Sequence, residues 1–193
     1  MTNFDTAVNV FMSQSISPFM VKVADFISLV GDTKVMLALG LIIGFYFLLV
    51  RKWQKSVIII FSVCSTTVAV TVLKELFTHP RPENALQVLS GWSFPSGHAF
   101  MAAAFFTAFI YVCYPYFSSK ITRGFFIAFC IASVFLIGLS RLILNVHWAS
   151  DIIAGWALGV SMAVLSIFFV RYLTIAYPSI SKPVSKPRDT VDR

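Results

Sequence analysis

The sequence predicts an all-α membrane protein, a polytopic helical bundle with little chain left for any other fold. Hydrophobic residues make up 58% of the 193 residues, whereas charged residues make up only 12%. Apolar runs long enough to cross a bilayer recur along the chain, and basic residues cluster between them. We therefore expect five clear spans preceded by N-terminal amphipathic helices.

The first 32 residues are expected to form two short helices in the membrane interface. Apolar side chains recur at helical spacing opposite Asp5 and Asn9, which is typical of an amphipathic helix. A second helix begins with Ser17 as its N-cap and Pro18 as its first residue, and it ends at Gly31. Fused into one helix they would make a sixth span, but the polar run between them favours two interfacial helices.

Five apolar runs then follow, and each is predicted to span the membrane. They cover residues 34–50, 56–77, 97–114, 121–139 and 150–172. The membrane bundle is therefore assigned to residues 33–177. Residues 178–193 are expected to form a disordered basic tail.

The distribution of basic residues predicts the orientation of the chain. Lysines and arginines lie between the first two runs, between the third and fourth runs, and in the tail. The positive-inside rule places these segments and the C-terminus in the cytoplasm of a multi-pass plasma-membrane protein. The net charge of +7 does not indicate nucleic-acid binding, because no soluble basic face would carry it. We infer no obligate protein partner, and the three cysteines fit buried apolar positions.

Most of the chemically useful side chains fall in three short blocks on the predicted outer side. The blocks are Lys74 with Arg81-Pro82, then Pro95-Ser96-Gly97-His98, then Ser140-Arg141 with His147 and Asp151. Ionisable groups at the ends of membrane spans are unfavourable in hydrocarbon, so they usually mark function or extend to the interface. Taken alone, Arg141 would fit such an interfacial anchor.

The residue types in these blocks suit a phosphate group. Lys74, Arg81 and Arg141 supply three positive charges, and Asp151 removes one, which leaves a net charge of two. A phosphate monoester carries about two negative charges near neutral pH. A helix that starts at Ser96 and Gly97 adds free backbone N–H groups, with Ser96 acting both as cap and as ligand.

The histidines of the second and third blocks suggest acid–base and nucleophilic roles. His147 and Asp151 are four residues apart and therefore share a helical face. Asp151 can accept one ring N–H of His147 and leave the other nitrogen free to attack phosphorus, giving a phosphohistidine. His98 would then protonate the leaving alcohol.

The three blocks resemble the signature of the type 2 phosphatidic acid phosphatase family of membrane lipid phosphatases. All three are complete, in the family's order and at its spacing, over roughly residues 34–172. Within the family the chain most resembles bacterial phosphatidylglycerophosphate phosphatases of the B type. The resemblance implies a metal-independent lipid phosphate phosphatase without a cofactor, with its site at the outer membrane surface.

The resemblance also implies a substrate class and a set of site residues. Phosphatidylglycerophosphate is the expected substrate, with phosphatidic acid or undecaprenyl pyrophosphate as further ones. The family's roles agree with those argued above. They make His147, His98 and Asp151 catalytic, and they make Lys74, Arg81, Ser96, Gly97 and Arg141 phosphate ligands.

Two other hypotheses remain open at this point. His79, His98, His147 and Asp151 could ligate zinc for metal-dependent hydrolysis, although three nearby cations would repel a metal ion. The same cationic pocket could also serve a non-enzymatic lipid-phosphate carrier or binding protein. His79 itself is interpreted as a loop residue, with a headgroup contact as its alternative. The role of Glu83 is left open.

Overall fold

The structure, a computed structural model, describes residues 2–177. The tail predicted at 178–193 lies outside the described residues. Within the described part there are seven α-helices, one 3₁₀ turn and no strands. The helices are α1 (Asn3–Ser15), α2 (Pro18–Val30), α3 (Thr33–Leu49), α4 (Trp53–Phe77), α5 (Gly97–Cys113), α6 (Lys120–Ile143) and α7 (Ala149–Ala176), and the turn is Tyr114–Tyr116. The predicted all-α membrane bundle is confirmed.

The second N-terminal helix, α2, begins and ends where its capping residues predict. The Ser17 hydroxyl accepts a hydrogen bond from the amide of Met20 at 3.3 Å, and Gly31 follows the last residue of α2. The apolar side chains of α1 point away from the bundle, with Phe4 55% and Phe11 64% exposed. The polar face of α1 therefore packs against the protein, while its apolar face is left for lipid.

Four helices are each long and apolar enough to cross a membrane: α4, α5 with its 3₁₀ turn, α6 and α7. The 17 residues of α3 span only about 25 Å, less than the roughly 30 Å of hydrocarbon. α2 and α3 together are apolar enough for one span, but they meet at a 40° bend. By length and composition, the described residues thus contain four candidate spans, or five when the bent pair is counted as one.

α5 lies at the centre of the bundle, and α7 packs closely against it through two glycines. A Cβ atom on Gly159 would lie 2.4 Å from the carbonyl oxygen of Phe100, and one on Gly155 would lie 3.0 Å from that of Ser96. Gly40 and Gly44 leave similar room for α4 against α3. Glycines at these positions let the helix backbones approach closely.

This packing brings one end of four helices together. The end of α4, the start of α5, the end of α6 and the start of α7 meet there, because neighbouring helices run in alternate directions. The loop between α4 and α5 is fixed by backbone hydrogen bonds from Ser93 to His79 at 2.7 Å and from Leu86 to Leu144 at 3.0 Å. All three sequence blocks therefore meet at this end. We call it the catalytic end because the predicted catalytic residues His98, His147 and Asp151 lie there.

Replacing Gly159 by Ala should destabilise the bundle by about 1–3 kcal/mol, because the added methyl group meets backbone atoms that cannot rotate away. Gly124→Ala is the matched control. No atom lies within 4 Å of its Cβ position in α6, so the variant should gain about 0.5–1 kcal/mol. Apparent melting temperatures in detergent measure both effects, and equal temperatures would contradict the tight α5–α7 contact.

Candidate active site

The buried carboxylate of Asp151 is the centre of the polar cluster at the catalytic end. Its Oδ2 accepts hydrogen bonds from the Ser93 hydroxyl at 2.5 Å and from the Trp148 amide at 2.9 Å. His147 Nδ1 lies 3.4 Å from the same oxygen, and His79 Nδ1 lies 3.2 Å from Oδ1. Asp151 has no exposed surface, so these donors replace the water that it has lost.

The neighbours of His147 determine which ring nitrogen carries its proton. Nε2 lies 3.3 Å from Nη1 of Arg81, and a guanidinium can only donate hydrogen bonds. Nε2 must therefore hold the lone pair, while Nδ1 carries the proton and faces Asp151 and the Ser93 hydroxyl. This assignment leaves Nε2 as the ring nitrogen with a free lone pair, as the predicted nucleophilic role requires.

His147 is also kept neutral. It is 4% exposed, and burial lowers its pKa from 6.5 to about 4. The hydrogen bond to Asp151 opposes this shift, whereas the positive charges of Arg81 and Arg141 add to it. The imidazole is therefore unprotonated at neutral pH, as a nucleophile must be.

Two cations converge on one backbone oxygen beside His147. Nζ of Lys74 and Nη2 of Arg81 both donate to the carbonyl of Trp92, the latter at 3.3 Å. Arg81 Nη1 also donates to the carbonyl of Val146 at 2.8 Å. These bonds hold two like charges close together, which favours binding of an anion between them.

Ser96 and Gly97 form the start of α5, but Ser96 does not cap it. The prediction that the Ser96 hydroxyl caps the helix is wrong, since its oxygen is buried without a hydrogen-bond partner among the described residues. The Ser96 amide instead donates to the carbonyl of Asp151 at 3.1 Å and so joins the second block to the third. The first amides of α5 therefore have no side-chain cap, which suits an anionic ligand.

His98 and Arg141 line a cavity of about 470 Å³ between α2, the α4–α5 loop and α6. Arg141 is 2% exposed and donates to the hydroxyl of Ser28 on α2, so it is not an interfacial anchor. Its Nε is buried without a partner among the described residues. His98 Nε2 lies 3.9 Å from Oδ2 of Asp32. A polar ligand would satisfy the unpaired Arg141 nitrogen.

The predicted site residues lie at one end of the bundle. The histidines, however, do not surround one point as the zinc hypothesis requires. His79 and His147 flank Asp151, whereas His98 faces Asp32. Residues 2–177 contain no group of three His, Cys, Asp or Glu side chains arranged to hold a metal ion.

Sequence analysis missed two side chains that contact Asp151. His79 was interpreted as a loop residue with a headgroup contact as the alternative, yet its ring contacts the carboxylate. Ser93 was not singled out, although its hydroxyl contacts both Asp151 and His147. Neither residue belongs to a spacing pattern that would have predicted these contacts.

The polar face of α1 contacts the same end of the bundle. Asp5 accepts hydrogen bonds from the Ser150 amide at 2.9 Å and from the Ser150 hydroxyl at 3.0 Å. Burial alone would raise the pKa of Asp5, but the hydrogen bonds, led by that of the Ser150 amide, lower it overall. Asn9 donates to Asn84 at 3.1 Å and to Asn145 at 3.2 Å. α1 therefore ties the loop after Arg81 to the segments on either side of His147.

Comparisons with known proteins identify relatives of the whole bundle. The model of the PAP2 superfamily matches residues 55–175. Phosphatidylglycerophosphatase B of Bacillus subtilis is 31% identical over 156 residues, which are 79% of this chain and 74% of that protein. The crystal structure of a transmembrane PAP2-type phosphatidylglycerolphosphate phosphatase from Bacillus subtilis matches with a TM-score of 0.75 and 27% identity, covering 90% of this chain and 85% of the other.

A more distant structure shares the fold. The crystal structure of Aquifex aeolicus LpxE matches with a TM-score of 0.69 at 24% identity, and the match covers 87% of this chain and 99% of the other.

Removing the Ser93 hydroxyl should lower kcat about tenfold with little change in KM. The variant Ser93→Ala leaves Asp151 short of one buried hydrogen bond, worth about 1–2 kcal/mol, while the predicted phosphate ligands stay in place. Ser90→Ala, at an exposed loop position, is the control and should keep the parent rate. Steady-state phosphate release measures both, and equal kcat values for the two variants would contradict the role of Ser93.

Proposed function

The chain belongs to the PAP2 superfamily, and we propose that it hydrolyses phosphatidylglycerophosphate through a phosphohistidine at the outer face of the plasma membrane. It is a multi-pass membrane phosphatase that acts on phosphate monoesters. The observation that carries the proposal is the buried, neutral His147, whose unprotonated nitrogen faces Arg81. The relatives named above support the choice of substrate.

The terminal phosphate of the lipid binds where the cations converge. Lys74 and Arg81 exchange the Trp92 carbonyl for phosphate oxygens, and Arg141 adds a third positive charge. The unpaired hydroxyl of Ser96 and the amides at the start of α5, with Gly97, contact the remaining oxygens. These donors stabilise the charge on the equatorial oxygens in the transition state.

His147 Nε2 attacks phosphorus, and the bond from phosphorus to the leaving oxygen breaks. The ring becomes positively charged, and Asp151 stabilises that charge through Nδ1–H. His98 donates a proton to the leaving alcohol, so the products are phosphatidylglycerol and phosphohistidine. His98 then takes a proton from water, which attacks the phosphohistidine and releases inorganic phosphate. No step requires a metal ion or cofactor.

A lipid substrate is supported by the walls of the cavity that holds His98 and Arg141. Leu29 of α2 and Leu86 of the loop line it and are 67% and 52% exposed. Exposed apolar side chains on these walls suit the lipid part of a substrate, while its phosphate reaches Arg141. The proposed lipid site would therefore be formed by α2 together with the predicted membrane bundle of residues 33–177.

The orientation follows from the charges at the far end of the bundle. The ends of helices opposite the catalytic end carry the basic residues Arg51, Lys52, Lys120, Arg123 and Arg171. The positive-inside rule places that end and the C-terminus in the cytoplasm. The catalytic end would therefore face outward.

The imidazole of His147 should stay neutral, with its proton on Nδ1, down to about pH 4. Burial disfavours the charged ring, so protonation begins only when the pH falls through the lowered pKa. ¹⁵N NMR of histidine-labelled protein without substrate measures this, because only three histidines contribute and His147→Ala assigns the signal. A ring that titrates near pH 6.5, or that carries its proton on Nε2, would contradict the mechanism.

The function itself is tested by phosphate release from purified protein in chelator. Phosphatidylglycerophosphate, phosphatidic acid and undecaprenyl pyrophosphate are compared side by side. We expect turnover in chelator, the highest kcat/KM for phosphatidylglycerophosphate, and at least about a thousandfold loss in His147→Ala because the nucleophile is missing. An unchanged melting temperature of the variant shows that it still folds.

Other outcomes would reject parts of the proposal. A higher kcat/KM for another lipid would reject phosphatidylglycerophosphate as the preferred substrate but would still support a phosphatase. Activity that disappears in chelator and returns with zinc would favour metal-dependent hydrolysis. Lipid-phosphate transfer between vesicles by His147→Ala, with no hydrolysis by the parent protein, would favour the carrier.

A further inference from the structure

A second groove in the described part of the chain lies far from the proposed catalytic residues. It has a volume of about 1200 Å³ and runs between the start of α4, the end of α5 and the end of α7. The α5 residues that line it lie between Thr107 and Val112, so about 16–24 Å of helix separates it from Ser96. We call it the far-end groove. It plays no part in the proposed reaction.

Apolar and aromatic side chains form most of its walls. Ile58, Ile110 and Phe168 line its length, and Tyr111 and Tyr172 lie along the same groove. Tyrosine is enriched where a membrane meets water, because its ring is apolar and its hydroxyl is polar. The groove thus offers an apolar surface to an acyl chain and a polar region near the membrane boundary.

Two cations line the groove. Lys55 of α4 is held in place, since its ammonium donates to the carbonyl of Val112 at 2.9 Å and lies 3.8 Å from the ring centroid of Tyr116. An ammonium has three donors, so Lys55 retains others for a ligand. Arg171 of α7 lines the opposite wall and presents a planar fork that suits phosphate oxygens.

We propose that the far-end groove binds one anionic phospholipid, with its phosphate on Lys55 and Arg171 and an acyl chain along the apolar wall. The volume exceeds the roughly 300–1,000 Å³ of ordinary small-molecule sites, as a lipid requires. Basic pockets between membrane helices attract anionic headgroups, whereas a zwitterionic headgroup brings a positive charge that these cations repel. The tail after α7 is itself basic on balance, so its charge does not complement the groove.

Native mass spectrometry of delipidated protein titrated with phosphatidylserine tests the proposal. This lipid is anionic but lacks a terminal phosphate monoester, so it is a poor match for the catalytic end. We expect one saturable site, with phosphatidylcholine at least about tenfold weaker. The double variant Lys55→Gln and Arg171→Gln should lose at least about tenfold in affinity while keeping the parent phosphatase activity.

The control is Arg51→Gln with Lys120→Gln, which removes two exposed charges from the same end outside the groove and should bind normally. Ile110→Trp fills the groove without changing charge and should also weaken binding about tenfold. Arg141→Gln, at the catalytic end, should leave binding unchanged.

The proposal would be overturned by equal binding of phosphatidylcholine, by equal losses in the groove and control double variants, or by loss of binding in Arg141→Gln. A tenfold gain on removing residues 178–193 would also overturn it, because the tail would then be the occupant.

Discussion

The geometry of the catalytic end depends on the buried carboxylate of Asp151. This single group contacts the nucleophile candidate His147, the start of α7 through Trp148, and the α4–α5 loop through Ser93 and His79. A charge without exposed surface is stable only while such donors surround it. The same contacts that stabilise Asp151 therefore fix the orientation and tautomer of His147, so folding and preparation of the site are coupled.

The proposed phosphate site is arranged in the opposite way, with donors that the protein leaves unsatisfied. The Ser96 hydroxyl and Arg141 Nε are buried without partners among the described residues, and Lys74 and Arg81 share one carbonyl oxygen. Unpaired buried donors are unfavourable until a ligand binds. The two proposed roles at this end of the bundle thus have contrasting surroundings. Asp151 is paired with several donors and orients the proposed nucleophile, whereas the cations and the start of α5 have donors available for an anion.

Local patterns in the sequence were sufficient to predict the helices and the three polar blocks that meet at one end of the bundle. Ser17 and Gly31 bound α2 as expected, because capping depends on neighbours in the chain. Contacts between distant segments were not predictable in this way. Ser93 and Asp151 are 58 residues apart, and Asp5 and Ser150 are 145 apart. The amphipathic pattern of α1 showed two faces but did not show that the polar face would contact the protein rather than water.

If Asp151 prepares His147 to carry the phosphoryl group, a phosphohistidine forms during turnover and can be trapped. Rapid mixing with ³²P-labelled phosphatidylglycerophosphate, alkaline quenching and peptide mass spectrometry would locate the label. We expect an acid-labile, alkali-stable phosphoryl group on His147, and none at any residue in His147→Ala. Label on His98, or turnover in which no residue of the protein becomes phosphorylated, would contradict it.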